Sequence, residues 1–274
     1  MCSSDLAREL MELFTLGIGN YTEDDIKQVA RSFTGWTHDG LDFVFVQRQH
    51  DDGEKTVFGR SGNFNGEDII DLLMSHPACG DHIGGKLFDY FVGTDPDPRL
   101  NAALGDLLRE NGYELRPVLR TILRSQAFFA AGRIGGKIKS PIHLLAGTCR
   151  LLGGDTLNIP QARRELEKLG QIPFEPPNVK GWPGTYDGRK WINTATLLAR
   201  YNLAVRLVER VRSRLPERPE PEKFVDEWLA RLIARPVDPA KREALVEAAR
   251  GSDPNQSALN VVQLIVAMPE YQLC

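Results

Sequence analysis

The chain of 274 residues has four cysteines, Cys2, Cys79, Cys149 and Cys274, and no two of them have CxxC spacing. That excludes the zinc ribbon and the dithiol redox motif. Cys149 sits in an apolar helical stretch and reads as a small core residue. Whether Cys79 pairs with Cys149 or Cys274 depends on a Cα separation that sequence does not state. Long apolar runs are missing too: none approaches the roughly 18 residues that a membrane span needs, and no signal peptide is present. There is no excess of positive charge. Lys and Arg number 34 against 37 Asp and Glu, a net charge of −3 with a pI near 6.0, which argues against a nucleic-acid binder. The basic cluster at Arg206–Arg218 is interrupted or flanked by Glu209, Glu217 and Glu220, so it reads as a solvated helix face. The patterns HExxH, HxH, GxSxG and GxxxxGK[ST] do not occur, and glycine-rich Gly132–Gly136 has no preceding strand to make it a phosphate loop.

What remains is a globular composition, 42% hydrophobic and 26% charged, long enough to bury a sizeable core. Leu10, Leu13, Phe14 and Leu16 recur at helical spacing and stop at Gly17. Thr22 followed by Glu23, Asp24 and Asp25 is a hydroxyl cap before an acidic first turn, which opens a helix to about Phe33 with Ile26, Val29, Ala30 and Phe33 on one face. Phe43-Val-Phe-Val46 and Thr56-Val-Phe58 are the clear β signal; with Asp52-Gly53 between them they predict a hairpin whose tip is Arg48–Glu54. Helical spacing then returns over 66–75, 79–92, 98–111, 115–130 and 139–153. A Pro/Gly-rich loop follows over 171–190, then a long helix over 192–214 and three more near 222–234, 238–250 and 256–268. The expected fold class is mainly α, an irregular multi-helix array with one small β-hairpin insertion near residues 43–58. The expected division is a main helical domain over 7–214, a linker over 215–221, and a C-terminal helical subdomain over 222–274 packed on the main domain.

Two segments concentrate chemistry. His50, Asp51, Asp52 and Glu54, with Lys55 beside them, put an imidazole and three carboxylates on one turn. His50, Asp51 and Asp52 are the candidate ligands of a divalent metal; His50, Asp51 and Lys55 are the candidate catalytic residues. The same residues also suit a plain surface turn, since Asp-Gly is what a turn favours. Asn178, Trp182, Trp191 and Asn193 are the candidate binding residues, because indole faces with amides nearby suit a sugar or peptide. The alternative is that the indoles pin the loop to the core while Asn193 or Thr194 caps the next helix. His38, His76, His82 and His143 are scattered and read as structural.

Several ordered blocks carry a family resemblance: Ala7-Arg-Glu-Leu-Met-Glu-Leu-Phe-Thr-Leu-Gly17, Tyr21-Thr-Glu-Asp-Asp25, Phe33-Thr-Gly-Trp36, His50–Lys55, Phe58-Gly59, Lys137-Ile-Lys-Ser-Pro141, Pro177-Asn-Val-Lys-Gly-Trp-Pro183, Trp191–Asn202 and Pro269–Cys274. In these the chain resembles the bacterial family known as domain of unknown function 1800, from Ala7 to the end. The resemblance implies a largely helical protein, exported to the periplasm or beyond. It also implies a partner from the neighbouring uncharacterised family numbered 1501, and it brings no catalytic residues with it. Members usually extend upstream of the Ala7 block; here Met1-Cys-Ser-Ser-Asp-Leu6 stands instead, which is also what a common sequencing adapter encodes when translated. The expectation is a C-terminal fragment with adapter-derived residues 1–6. Three functions follow as expectations. The first is a binding or assembly component of the cell envelope acting with a neighbouring protein. The second is a metal-assisted hydrolase at His50, Asp51 and Asp52, and the third a glycan-binding protein using Trp182 and Trp191.

Overall fold

The computed structural model describes residues 3–93, 97–153, 157–185, 188–215, 220–251 and 253–274. Within them the chain is mainly helical, with twelve α-helices and two small antiparallel hairpins. It divides into two compact units, residues 1–128 and 129–274. The division expected from sequence was at 215–221 instead. In the second unit one core takes Leu144, Leu203 and Leu207 from one side of that segment and Phe224, Val246 and Val262 from the other. Residues 216–219 of the expected linker, and Met1 and Cys2 of the first block, lie outside the described residues.

In the first unit α1 (Ser3–Glu9) runs into a wider π-helical turn over Leu10–Thr15. It closes at Gly17, whose φ of 79° is a conformation glycine adopts freely. α2 (Glu23–Ser32) starts as its sequence demands: the Thr22 hydroxyl accepts from Asp25 N–H, and the Asp25 carboxylate accepts from Thr22 N–H. Its buried face, Ile26, Val29 and Ala30, packs with Ala7, Met11, Val57 and Ile69. The remaining helices of this unit are α3 (Gly66–Ser75), α4 (Pro77–Phe91), α5 (Pro98–Glu110) and α6 (Leu115–Leu123). α4 and α5 cross closely because Gly84 and Gly105 lie at the contact: a Cβ on Gly84 would stand 2.7 Å from Leu104 Cβ. α6 stops at Leu123, short of the expected 130. There the Ser125 hydroxyl donates to Ile122 O and accepts from Phe128 N–H, which turns the chain.

The β region differs from expectation. The runs 43–46 and 56–58 do not pair with each other. β1 (Trp36–Asp39) pairs with β2 (Asp42–Phe45) across Gly40-Leu41, and β3 (Lys55–Val57) pairs with β4 (Arg60–Gly62) across Phe58-Gly59. Phe58 and Gly59 have φ of 50° and 76°, the two left-handed residues of a type I′ turn, whose twist matches the flanking strands. Phe58 is held there by its N–H, which donates to Asp25 Oδ1 at 2.9 Å, and by ring contact with His76. Asp52-Gly53 makes no hairpin tip, because the Asp51 carboxylate takes the Gly53 N–H at 2.9 Å and folds the segment on itself.

The second unit holds α7 (Pro141–Leu151), α8 (Ile159–Lys168), α9 (Thr194–Glu209), α10 (Pro221–Leu232), α11 (Pro239–Ala249) and α12 (Pro254–Ala267). α8 was not expected. It buries only Leu166, so its apolar period is faint, but Asn158 at the cap and Pro160 in the first turn were legible start signals. No disulfide joins Cys79, Cys149 and Cys274 to one another. No helix among the described residues is long and apolar enough to cross a membrane.

Candidate functional site

The residues that line a cleft of about 310 Å³ come from the hairpin region of the first unit: Trp36, Phe43, Phe45, Gln47, His50, Asp52, Asn63, Asn65 and Glu67. Strand alternation creates its aromatic wall. Trp36 stands opposite Phe45 and His38 opposite Phe43, so these four side chains share one face of the hairpin. Trp36 is anchored over Gly66, where a Cβ would lie only 2.4 Å from its ring, and it meets Phe33 edge-on at 5.0 Å. Phe43 meets Trp36 edge-on at 4.9 Å yet stays 62% exposed, and Phe45 stays 42% exposed. The opposite rim is polar. Asn65 spends its carbonyl oxygen capping α3, while Gln47 donates to Asp52 at 3.2 Å.

The residues behind that rim are committed to structure. Arg31 of α2 grips both Asp51 oxygens, Nε to Oδ2 at 2.7 Å and Nη2 to Oδ1 at 3.1 Å. That guanidinium, then the Gly53 N–H, hold the Asp51 carboxyl well below the usual carboxylate range. Lys55 is 1% exposed and its ammonium donates to Asp51 O, Gly53 O and Asn63 Oδ1. Burial pulls its pKa down. His50 Nδ1 faces Thr34 O at 2.8 Å, and since a carbonyl only accepts, Nδ1 carries the proton.

The structure therefore separates the residues grouped by sequence. His50 and Asp52 reach the cleft; Asp51 and Lys55 brace the turn beneath it. Asp51 has both oxygens engaged, and no group of three or more His, Cys, Asp or Glu among the described residues is arranged to hold a metal ion. In the second unit, Trp191 is 5% exposed with its ring packed on Gly184, where a Cβ would fall 2.2 Å away. Asn193 caps α9 through Thr196, and Asn178 closes its own turn by accepting from Lys180 N–H. Trp182 is half-buried. The indole of Trp191 is thus a packing element, whereas in the cleft of the first unit Phe43 and Phe45 keep their rings exposed. The signal for it was present: Phe43-Val44-Phe45 alternates with period two, placing both rings on one side.

Fold and site define a mainly helical protein with an aromatic-walled, polar-rimmed cleft beside two hairpins. The family described as protein of unknown function (DUF1800) matches residues 5–273, and the chain belongs to it. No curated protein and no solved structure matches the chain.

Proposed function

We propose that the protein is a binding component of the bacterial cell envelope and that the cleft of its first unit takes a glycan chain. One observation carries this reading. Phe43 and Phe45 stand exposed beside Trp36, facing a rim of Gln47, Asp52, Asn63 and Glu67. Other rings are exposed too, but these two are contiguous on one hairpin face beside a polar rim, the form that marks a binding surface. Sugar rings offer them C–H faces, while amides and carboxylates take the hydroxyl edges. The envelope location, export, and action beside a protein of the family numbered 1501 rest on the family resemblance. Asp51 and Lys55 being tied into the turn weighs against the hydrolase reading.

The test is a glycan array followed by fluorescence titration with the retained oligosaccharides. Trp36 emission is expected to change on binding, and Phe43→Ala is expected to weaken affinity about tenfold, the value of one lost ring contact. Trp182→Ala should leave binding unchanged. An array that retains nothing, or binding that survives Phe43→Ala with Phe45→Ala, would falsify the assignment.

A further inference from the structure

Arg200 of α9 is wholly buried, 0% exposed. Its Nε donates to Gln272 Oε1 at 2.8 Å and its Nη2 to Lys139 O at 2.6 Å, but Nη1 is buried with no partner. Gln272, 3% exposed, has its amide Nε2 in the same condition. Lys139, 9% exposed, donates to Tyr271 O at 2.6 Å and lies 3.8 Å from the centre of the Tyr271 ring. Every acceptor these two cations meet is neutral. The acidic neighbour in the C-terminal segment, Glu270, gives Oε1 to Lys241, while its Oε2 is buried without a partner. Two positive charges and two orphan N–H donors are therefore enclosed, with Cys274 the neighbour that favours the Lys139 charge and Arg200 the one that opposes it, an arrangement that is costly when left uncompensated. The environment shows the cost: burial pushes Lys139 down to about 8 and Arg200 down to about 10. His143 is also lowered, first by burial and then by the charges of Lys139 and Lys137.

We propose that the orphan N–H groups of Arg200 and Gln272 bind one small inorganic monovalent anion, of halide size, inside the second unit. A water molecule would satisfy the donors but leave both charges standing; an anion does both. The enclosure sets the size. With all three side chains 9% exposed or less, nothing attached to a larger body could be accommodated. The anion ties together three segments distant in sequence, the approach to α7, the middle of α9 and the C-terminal segment, where Lys139 N–H donates to Gln272 O at 2.8 Å.

The test uses the full chain in bromide and in gluconate at equal ionic strength, with anomalous diffraction from crystals grown in bromide. A bromide peak is expected within hydrogen-bond reach of Arg200 Nη1, with Tm about 3 °C higher in bromide. Gln272→Glu places a carboxylate beside Arg200. It is expected to fold, to match in gluconate the wild-type Tm in bromide, and to lose the bromide response. Three results would overturn the proposal: no peak at Arg200; a peak with equal Tm in both salts, an adventitious ion only; or a full bromide response in Gln272→Glu.

Discussion

Each unit buries a lysine, and the two differ in how their N–H donors are met. Lys55 in the first unit spreads its three N–H donors over Asp51 O, Gly53 O and Asn63 Oδ1, with the Asp51 carboxylate close enough to favour its charge. Lys139 in the second unit has one carbonyl and a ring face, with Cys274 favouring its charge and Arg200 opposing it. The aromatic residues divide the same way. Phe43 and Phe45 stand out on a hairpin, while Trp191 is shut against Gly184. Residue type alone does not say which role a group plays: Trp191 is a strut and Phe43 a surface, although tryptophan is the more usual ligand platform. What separates them is the neighbour each one meets.

The largest effect should come from the aromatic contrast. Trp191→Ala empties a filled core site and is expected to cost about 3–5 kcal/mol, whereas Phe43→Ala should change stability by no more than about 0.5 kcal/mol. Urea denaturation of both variants measures the difference, and comparable losses would end the distinction between strut and display. The lysine contrast should be smaller. Lys55→Met strands three acceptors and is expected to cost about 1–3 kcal/mol. In gluconate, Lys139→Met removes a buried charge that meets one neutral carbonyl and a ring face, and is expected to be neutral or stabilising by about 1 kcal/mol. If both lysines behave alike, the two burials are not different in kind.

The smallest effect is in the pH dependence. The folded-state pKa of Asp51 is depressed by Arg31, so its contribution to stability is present above the unfolded value, about 3.9, and is lost as pH falls below it. Between pH 5 and pH 2.5 the wild-type Tm should fall more steeply than that of Asp51→Asn. Parallel melting curves would mean the Arg31 pair adds nothing to the fold.

Much of the helical frame was legible in the sequence, because its signals are local. Apolar spacing and caps such as Thr22 with Asp25 act within a turn or two, and they placed α2, α3 and α9 near their true starts. α8 was lost because a helix that buries one leucine hardly differs in pattern from a polar loop. The β pairing was misjudged because Asp52-Gly53 looks like a better turn than Phe58-Gly59. The decision was made elsewhere, by Arg31 twenty residues away and by Asp25 holding Phe58 N–H. The candidate site was half legible: His50 and Asp52 were singled out, Trp36, Phe43 and Phe45 were not, since rings on a strand read equally well as core.

The sequence by itself determined the family, the mainly helical class, and the order and approximate limits of most elements, because those depend on contacts a few residues apart. Only the tertiary structure decided which aromatic rings face water, that Asp51 belongs to Arg31, and that Arg200 is enclosed with Lys139 and Gln272. Those outcomes depend on pairings across twenty to seventy residues. There burial makes each polar group's cost hinge on the partner that packing brings to it.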